Sequence, residues 1–267
     1  MSITLFDALY DVARILGGVR TGVATGGSAT TLIDTNNRRE QPDFWTGGTV
    51  FIKSGTYISK TRAVKSYIPN TLTFQSTLAG AIISGVKYAV APPRFTKEVM
   101  IMGVNMALAD MGRYVQTDET LTTDSTIESY DIPAGVSELK KVEVAGSDEE
   151  PYSYSPKYQW FEQKDQLVFQ PGKAPTTDDY KIRLWYIGSH AEVYEDTDAI
   201  QGVVDREWLK WAAIVHIYRD IITIEHKDNI VDVELMNEAI KREETIKATM
   251  WKKLQRHMDR TPIYSGY

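Results

Sequence analysis

The chain has 267 residues, with 30 Lys and Arg against 36 Asp and Glu, so its formal net charge is −6 at pH 7. It contains no cysteine, which excludes disulfides, thiolate nucleophiles and Cys-ligated metal centres. No apolar run reaches the ~20 residues that a membrane-spanning helix needs, so we expect no membrane partner. The charge is uneven, because residues 1–95 hold 10 basic and 5 acidic residues whereas residues 115–200 hold 7 and 18. Different partners for different faces, or simply an uneven surface, would explain this polarity.

The first element in chain order is a predicted helix at residues 4–16, where apolar residues recur every three or four positions. Thr4 and Asp7 resemble a capping box at its start. Residues 22–91 then alternate β-branched or aromatic residues with polar ones, and Gly and Pro turns interrupt them. This pattern predicts about five short strands, a set of the size of a small β-barrel.

A second helix is predicted at residues 95–112, and two long helices at 203–225 and 230–258. Strands are predicted again at residues 115–190. One apolar stripe is expected along the second helix: Phe95, Val99, Met102, Met106 and Ala109. The connection at residues 190–203 shows no strong pattern and is predicted to be a hinge.

The expected fold class is α+β, with a helical core of about four helices and two β-rich insertions, the first a small β-barrel. The reason is that apolar helix stripes can be buried only against each other or against a neighbouring chain. The expected domains are a helical core at 1–21, 92–114 and 200–260, a small β-barrel insertion at 22–91, an acidic β-rich insertion at 115–199 and a C-terminal tail at 261–267.

No motif for catalysis or for a cofactor emerges from the sequence, so we expect neither enzymatic activity nor a bound cofactor. His216 and Asp220 share a helix face, but no second histidine follows in register, which favours a core or interface role over metal binding. The acidic middle region combines carboxylates with aromatic residues such as Trp160 and Trp185. A carbohydrate-binding or glycan-cleaving module on the host surface is therefore a further hypothesis.

Two sets of residues are candidates for contacts with partners. The first is basic and lies in the first β region, where it could contact an acidic protein or passing DNA by charge alone, or simply be solvated: Arg38, Arg39, Lys53, Lys60, Arg62 and Lys65. The second set lies in the tail, which could add itself to a partner's sheet or be an ordinary frayed terminus: Pro262, Ile263, Tyr264 and Tyr267.

Several segments resemble virion proteins of tailed bacteriophages. TGVATGGS at 21–28, LIDT at 32–35 and GGTVFIKSG at 47–55 resemble a small β-domain common in such proteins. The second helix resembles the first core helix of phage head-to-tail adaptor (connector, neck) proteins, and IPAGV at 132–136 and the late helix that begins WLKWAA at 208 are similar to theirs. Together these segments span most of the chain, and they occur in the order expected for such proteins.

The resemblance implies a non-enzymatic structural subunit of the virion neck, between capsid and tail, made in the host cytoplasm. It implies a dodecameric homo-oligomeric ring that binds the portal protein and the next neck or tail protein around the DNA channel. The two large β regions depart from the smallest adaptors of this type, which are nearly all helical. Another tail or baseplate adaptor is therefore the alternative.

Overall fold

A computed structural model describes residues 3–36, 40–136, 138–147, 149–150, 152–155, 158–200, 204–225 and 230–260, with the backbone alone for 223–225, 230 and 253–260. The chain divides into two compact units. The first comprises Met1–Asp110 and Glu192–Met250, and the second comprises Met111–Ala191 and Trp251–Tyr267.

Four helices lie in the described residues, and their positions confirm the four predicted helices: α1 (Leu5–Leu16), α2 (Lys97–Asp110), α3 (Arg206–Glu225) and α4 (Ile230–Arg260). The capping box at the start of α1 is also confirmed. Asp7 N–H donates to Thr4 Oγ1 (3.3 Å), and Thr4 N–H donates to Asp7 Oδ2 (3.1 Å). These bonds satisfy backbone N–H groups that have no partner within the helix.

The first unit contains a two-stranded and a seven-stranded antiparallel sheet. Strands β1 (Ile3–Thr4) and β16 (Ala199–Ile200) form the small sheet. The large sheet consists of β2 (Arg20–Val23), β3 (Gly26–Gly27), β4 (Thr31–Ile33), β5 (Thr49–Ile52), β6 (Lys60–Ile68), β7 (Thr71–Phe74) and β8 (Lys87–Ala91). Its strands run in the order β2-β8-β5-β6-β7-β4-β3.

The predicted closed β-barrel is wrong, because this sheet is open. Its end strands β2 and β3 form no ladder with each other within the described residues. The two residues between β2 and β3 bond to opposite parts of the sheet. Ala24 N–H donates to Val86 O (2.8 Å) next to β8, whereas Thr25 N–H donates to Ile33 O (2.7 Å) of β4. Alternating residues specify each strand locally, whereas closure depends on whether the first and last strands of the sheet pair.

The expected α+β class, a helical core that carries two β-rich insertions, is wrong as well: the fold is a mixed one of helices and antiparallel sheets. The seven-stranded sheet belongs to the same compact unit as α1, α2 and α3. Phe51 of β5 packs edge-on against Phe6 and Tyr10 of α1, with ring centroids 5.8 and 5.5 Å apart. An apolar helix stripe indicates that something covers it, but not whether a helix or a sheet does so. The predicted residue boundaries between the segments stay predictions.

The second unit contains two antiparallel sheets with one shared hydrophobic core. Its strands are β9 (Arg113–Asp118), β10 (Ser129–Asp131), β11 (Leu139–Ala145), β12 (Tyr154–Ser155), β13 (Trp160–Gln163), β14 (Gln166–Phe169) and β15 (Ile182–Ser189). The strand orders are β10-β14-β13 and β12-β11-β15-β9. The core joins Leu167 and Phe169 of one sheet to Val142 and Leu184 of the other.

The acidic surplus of the chain lies within residues 111–191 of its sequence. Residues 111–191 hold 14 Asp and Glu against 8 Lys and Arg, whereas the rest of the chain holds 22 of each. The segment therefore carries a formal charge equal to that of the whole chain. Residues 251–267 of the second unit add 4 Lys and Arg against 1 Asp, so the two units as a whole carry equal formal charges of −3.

Candidate interaction site

Helix α2 carries apolar residues on two faces, and only one of them is buried. The buried face packs on α3 and consists of Met100, Gly103, Val104, Ala107 and Leu108. Gly103 permits the close approach, because a Cβ at that position would lie 2.5 Å from Ile217 Cγ1 and 2.9 Å from Ala213 O. Gly103 thus lies on the side of α2 that faces α3.

The second face of α2 lines an open groove. Met102, Met106 and Ala109 of the predicted apolar stripe lie together on this outer face and are not part of the core. Met106 is 44% exposed. The groove has a volume of about 510 Å³, and its apolar floor is formed by Ile101, Met102 and Met106. An apolar helix face of this kind is typical of a protein-binding surface.

Acidic residues border the same groove. Glu98 lies near the start of α2, and Glu192 lies on the segment that follows β15. No Lys or Arg within the described ranges forms an ion pair with either carboxylate. The Tyr194 hydroxyl donates to the Glu192 carboxylate, and this hydrogen bond is the main reason that the pKa of Tyr194 is raised. The groove is therefore apolar along its floor and negative at its border.

The segment that borders the groove, residues 192–200, is fixed by hydrogen bonds. Asn105 of α2 binds Val193 twice, with Nδ2 donating to the carbonyl (3.0 Å) and Oδ1 accepting from the N–H (2.9 Å). Asp198 Oδ2 accepts from the N–H groups of Tyr194 (2.7 Å) and Glu195 (2.9 Å), which lowers the pKa of Asp198. Asn105 thus ties the start of the segment to α2, and Asp198 closes a turn within the segment; the hinge at 190–203 stays a prediction.

Asp196 anchors the same segment to the large sheet. Its carboxylate accepts from Thr61 N–H (2.8 Å) and from the Thr61 hydroxyl, and Lys97 Nζ lies 3.2 Å from Oδ1. Asp196 is 4% exposed, so the ion pair with Lys97 compensates for the cost of burying its charge. Its backbone carbonyl also accepts from Phe6 N–H at the start of α1 (3.1 Å). The carboxylate of Asp196 thus connects β6 and α2, and its backbone carbonyl adds the contact with α1.

A second cavity of about 650 Å³ adjoins the groove and contains three basic side chains. Lys60, Arg62 and Lys97 line it, and it shares Glu98, Ile101 and Tyr194 with the apolar groove. Glu195 and Asp196 also line this cavity, so its formal charge is balanced. The two cavities form a continuous surface along α2, with basic groups at the sheet end only.

Four of the six predicted basic contact residues have described side chains: Lys53, Lys60, Arg62 and Lys65. Lys60 and Arg62 come together in the cavity, but Arg62 donates to the carbonyls of Thr61 (2.7 Å) and Thr77 (3.2 Å). Lys53 donates to the hydroxyl of Tyr10 (2.7 Å) and lies over its ring. Lys65 is exposed on β6, and in the described part of the chain neither it nor Lys60 forms an ion pair.

Several predicted contact residues lie outside the described residues. These are Arg38 and Arg39 of the first β region and the tail residues Pro262, Ile263, Tyr264 and Tyr267. Contacts of the basic residues with DNA or an acidic partner, and docking by the tail, stay predictions.

The buried His216 pairs with Asp110 of α2 and not with Asp220 of its own helix face. Its Nε2 lies 2.9 Å from Oδ2 of Asp110, the last residue of α2. Within the ranges described, no group of three or more His, Asp or Glu residues is placed to hold a metal ion. None of the helices, in their described parts, combines the length and apolar character that crossing a bilayer requires.

The aromatic residues of the second unit mostly take part in packing. Tyr158 and Trp160 pack against its core. Trp185 Nε1–H donates to Glu143 Oε2 (2.7 Å), and Lys141 forms an ion pair with the same carboxylate (2.7 Å). The rings that raised the possibility of sugar binding thus have structural neighbours of their own.

The groove and the Asp196 contacts were both missed by sequence reasoning. The apolar residues of α2 on both faces were a usable signal for the groove. No local signal exists for the contact between Thr61 and Asp196, which are 135 positions apart. Compared with known proteins, the chain matches no family model and no curated protein.

Proposed function

We propose that this chain is a structural, non-enzymatic virion protein, a subunit of the ring-shaped head-to-tail adaptor in the neck of a tailed bacteriophage. In this role it links the portal to the next neck or tail protein around the DNA channel. The single observation that carries the proposal is the outer face of α2, an apolar helix face that lines an open groove. The groove supports a function based on contact with other chains.

The construction of the groove supports the same role. A subunit that holds its place in a ring needs a docking surface whose shape is set before the partner arrives. Asn105 and Asp196 fix the border of the groove to α2 and to the large sheet. Helix α2 and the segment that borders the groove are thus held together by polar contacts.

The distribution of charge supports contacts of more than one kind. The acidic surplus lies in residues 111–191, while Lys60 and Lys65 of the first unit form no ion pair in the described part of the chain. In a closed ring, each subunit presents two different surfaces to its two neighbours. Opposite charges on these surfaces would favour the correct orientation of association.

Native mass spectrometry of the purified chain, alone and with the portal protein of the same phage, and electron microscopy of the assembled particle test the proposal. We expect ring-shaped oligomers with cyclic symmetry, and density for the chain at the neck of the particle. A protein that stays monomeric with portal present and is absent from virions would contradict the proposal. Density at the tail tip would instead indicate a baseplate adaptor, and specific binding on a glycan array would indicate a carbohydrate-binding module.

A further inference from the structure

We propose that the α2 groove binds the C-terminal turns of α4, residues 251–260, from a second copy of the chain. The inference rests on the proposed ring function and names the contact that closes the ring. It concerns two different surfaces of the same chain, so the resulting contact is head-to-tail. Contacts of this type generate a closed ring when the rotation between subunits is suitable.

The floor of the groove suits an amphipathic helix. Ile101, Met102 and Met106 present an aliphatic and thioether surface along α2. Methionine side chains are unbranched and flexible, so they adapt to the shape of an inserted side chain. Binding of an apolar helix face in a groove of this kind is a common mode of protein recognition.

The border of the groove selects the charge of the occupant. Glu98 and Glu192 form no ion pair with Lys or Arg in the part of the chain that the structure describes. An acidic occupant would place like charges together, whereas a basic occupant would compensate both carboxylates. The groove therefore favours a segment that is apolar on one side and basic on the other.

The sequence at the end of α4 has this character. The helix continues to Arg260, and residues 247–260 contain five Lys and Arg against one Asp. Trp251, Leu254 and Met258 recur at spacings of three and four, which places these positions on one face of a helix. The basic positions fall on the opposite side at 100° per residue: Lys252, Lys253, Arg256 and Arg260.

Site-specific cross-linking tests whether the two segments meet between copies. The chain has no cysteine, so each substitution introduces a unique thiol. One preparation carries Met106→Cys and a second, with an affinity tag, carries Met258→Cys; the two are mixed and treated with a short thiol-specific cross-linker. The matched control replaces Met106→Cys with Ile83→Cys, because Ile83 is 64% exposed on the large-sheet unit.

We expect a cross-linked heterodimer from the Met106→Cys and Met258→Cys mixture and only background from the control. Equal cross-linking in both mixtures would overturn the inference. A third preparation carries Met106→Cys and Met258→Cys in the same chain. A cross-link inside this chain, with none in the mixture, would also overturn the inference, because the helix end would then occupy the groove of its own chain.

Charge exchange gives an independent readout on the full-length protein. Glu98→Lys with Glu192→Lys in one variant, and Lys252→Glu with Arg256→Glu in another, should each weaken association roughly tenfold, since two charge pairs become repulsive. Mixing the two variants should restore association between unlike chains. If each variant associates like the wild-type chain, the inference is wrong.

The two proposals fail in different ways. Rings that form normally while the groove and the helix end show no specific cross-link would remove this inference and leave the ring function intact. A specific cross-link in a protein that forms only dimers, with portal present, would keep the contact and contradict the ring.

Discussion

Gly103 of α2 lies so close to Ile217 of α3 that a Cβ at position 103 would be 2.5 Å from Ile217 Cγ1. Real Cβ atoms do not approach other carbons to this distance, so the packing of the two helices depends on glycine at this position. The contact also decides which face of α2 is left for the groove, because Met102 and Met106 lie away from α3.

Replacement of Gly103 should destabilise the protein. In an exposed helix interior, alanine is favoured over glycine by about 1 kcal/mol. For Gly103→Ala we expect instead a loss of about 1–3 kcal/mol in the free energy of unfolding, because the added methyl group overpacks the helix interface. Urea denaturation measures the change. Ala109→Leu adds volume on the exposed face of the same helix and should leave stability nearly unchanged; a more stable Gly103→Ala variant would contradict the packing argument.

Removal of the Asp196 carboxylate should destabilise the first unit. Asp196→Ala leaves Lys97 without its ion-pair partner and the buried Thr61 N–H without an acceptor. We expect a loss of about 3 kcal/mol, as for other buried pairs that lose one partner. The control is Glu195→Ala, since Glu195 is an exposed neighbour on the same segment. Equal stability of the two variants by thermal or chemical unfolding would show that Asp196 is not an anchor.

The contribution of Asp198 to stability should depend on pH. The backbone N–H groups of Tyr194 and Glu195 lower the pKa of Asp198 in the folded chain. A carboxyl group with a lowered folded pKa stabilises the fold above its unfolded pKa of about 3.9, and this stabilisation is lost as the pH falls through the folded pKa. The difference in unfolding free energy between the wild type and Asp198→Ala should therefore be largest near neutral pH and shrink below about pH 4. A difference that stays constant from neutral to acidic pH would exclude this explanation.

Deletion of the tail should affect partner binding and not folding. Removing residues 261–267 takes away Ile263, Tyr264 and Tyr267, which the sequence predicts to dock onto a partner. We expect an unchanged unfolding midpoint and a weaker interaction with the portal or with neighbouring subunits, measured by sedimentation. A variant with Ile263, Tyr264 and Tyr267 changed to Ser keeps the length and should behave like the deletion. Unchanged affinity for both would show that the tail is not a docking segment.

The helices and most of the long strands could be predicted from the sequence, because they depend on interactions between residues close in the chain. The apolar spacing of α1 and the capping pair Thr4 and Asp7 are both local features. Strands β6 and β7 likewise follow from alternating residues between turn signals. Short strands such as β3, Gly26–Gly27, were missed because they have almost no pattern of their own and exist through pairing with β4.

The candidate site could not be predicted in the same way, because it depends on contacts between distant residues. The apolar residues of α2 were visible in the sequence, but steric fit between Gly103 and Ile217 determines which of its faces is buried. Asp196 meets Thr61 across 135 positions, and His216 meets Asp110 across 106. Helix formation is a matter of nearest neighbours in the chain, whereas the groove arises from the packing of elements that the sequence keeps far apart.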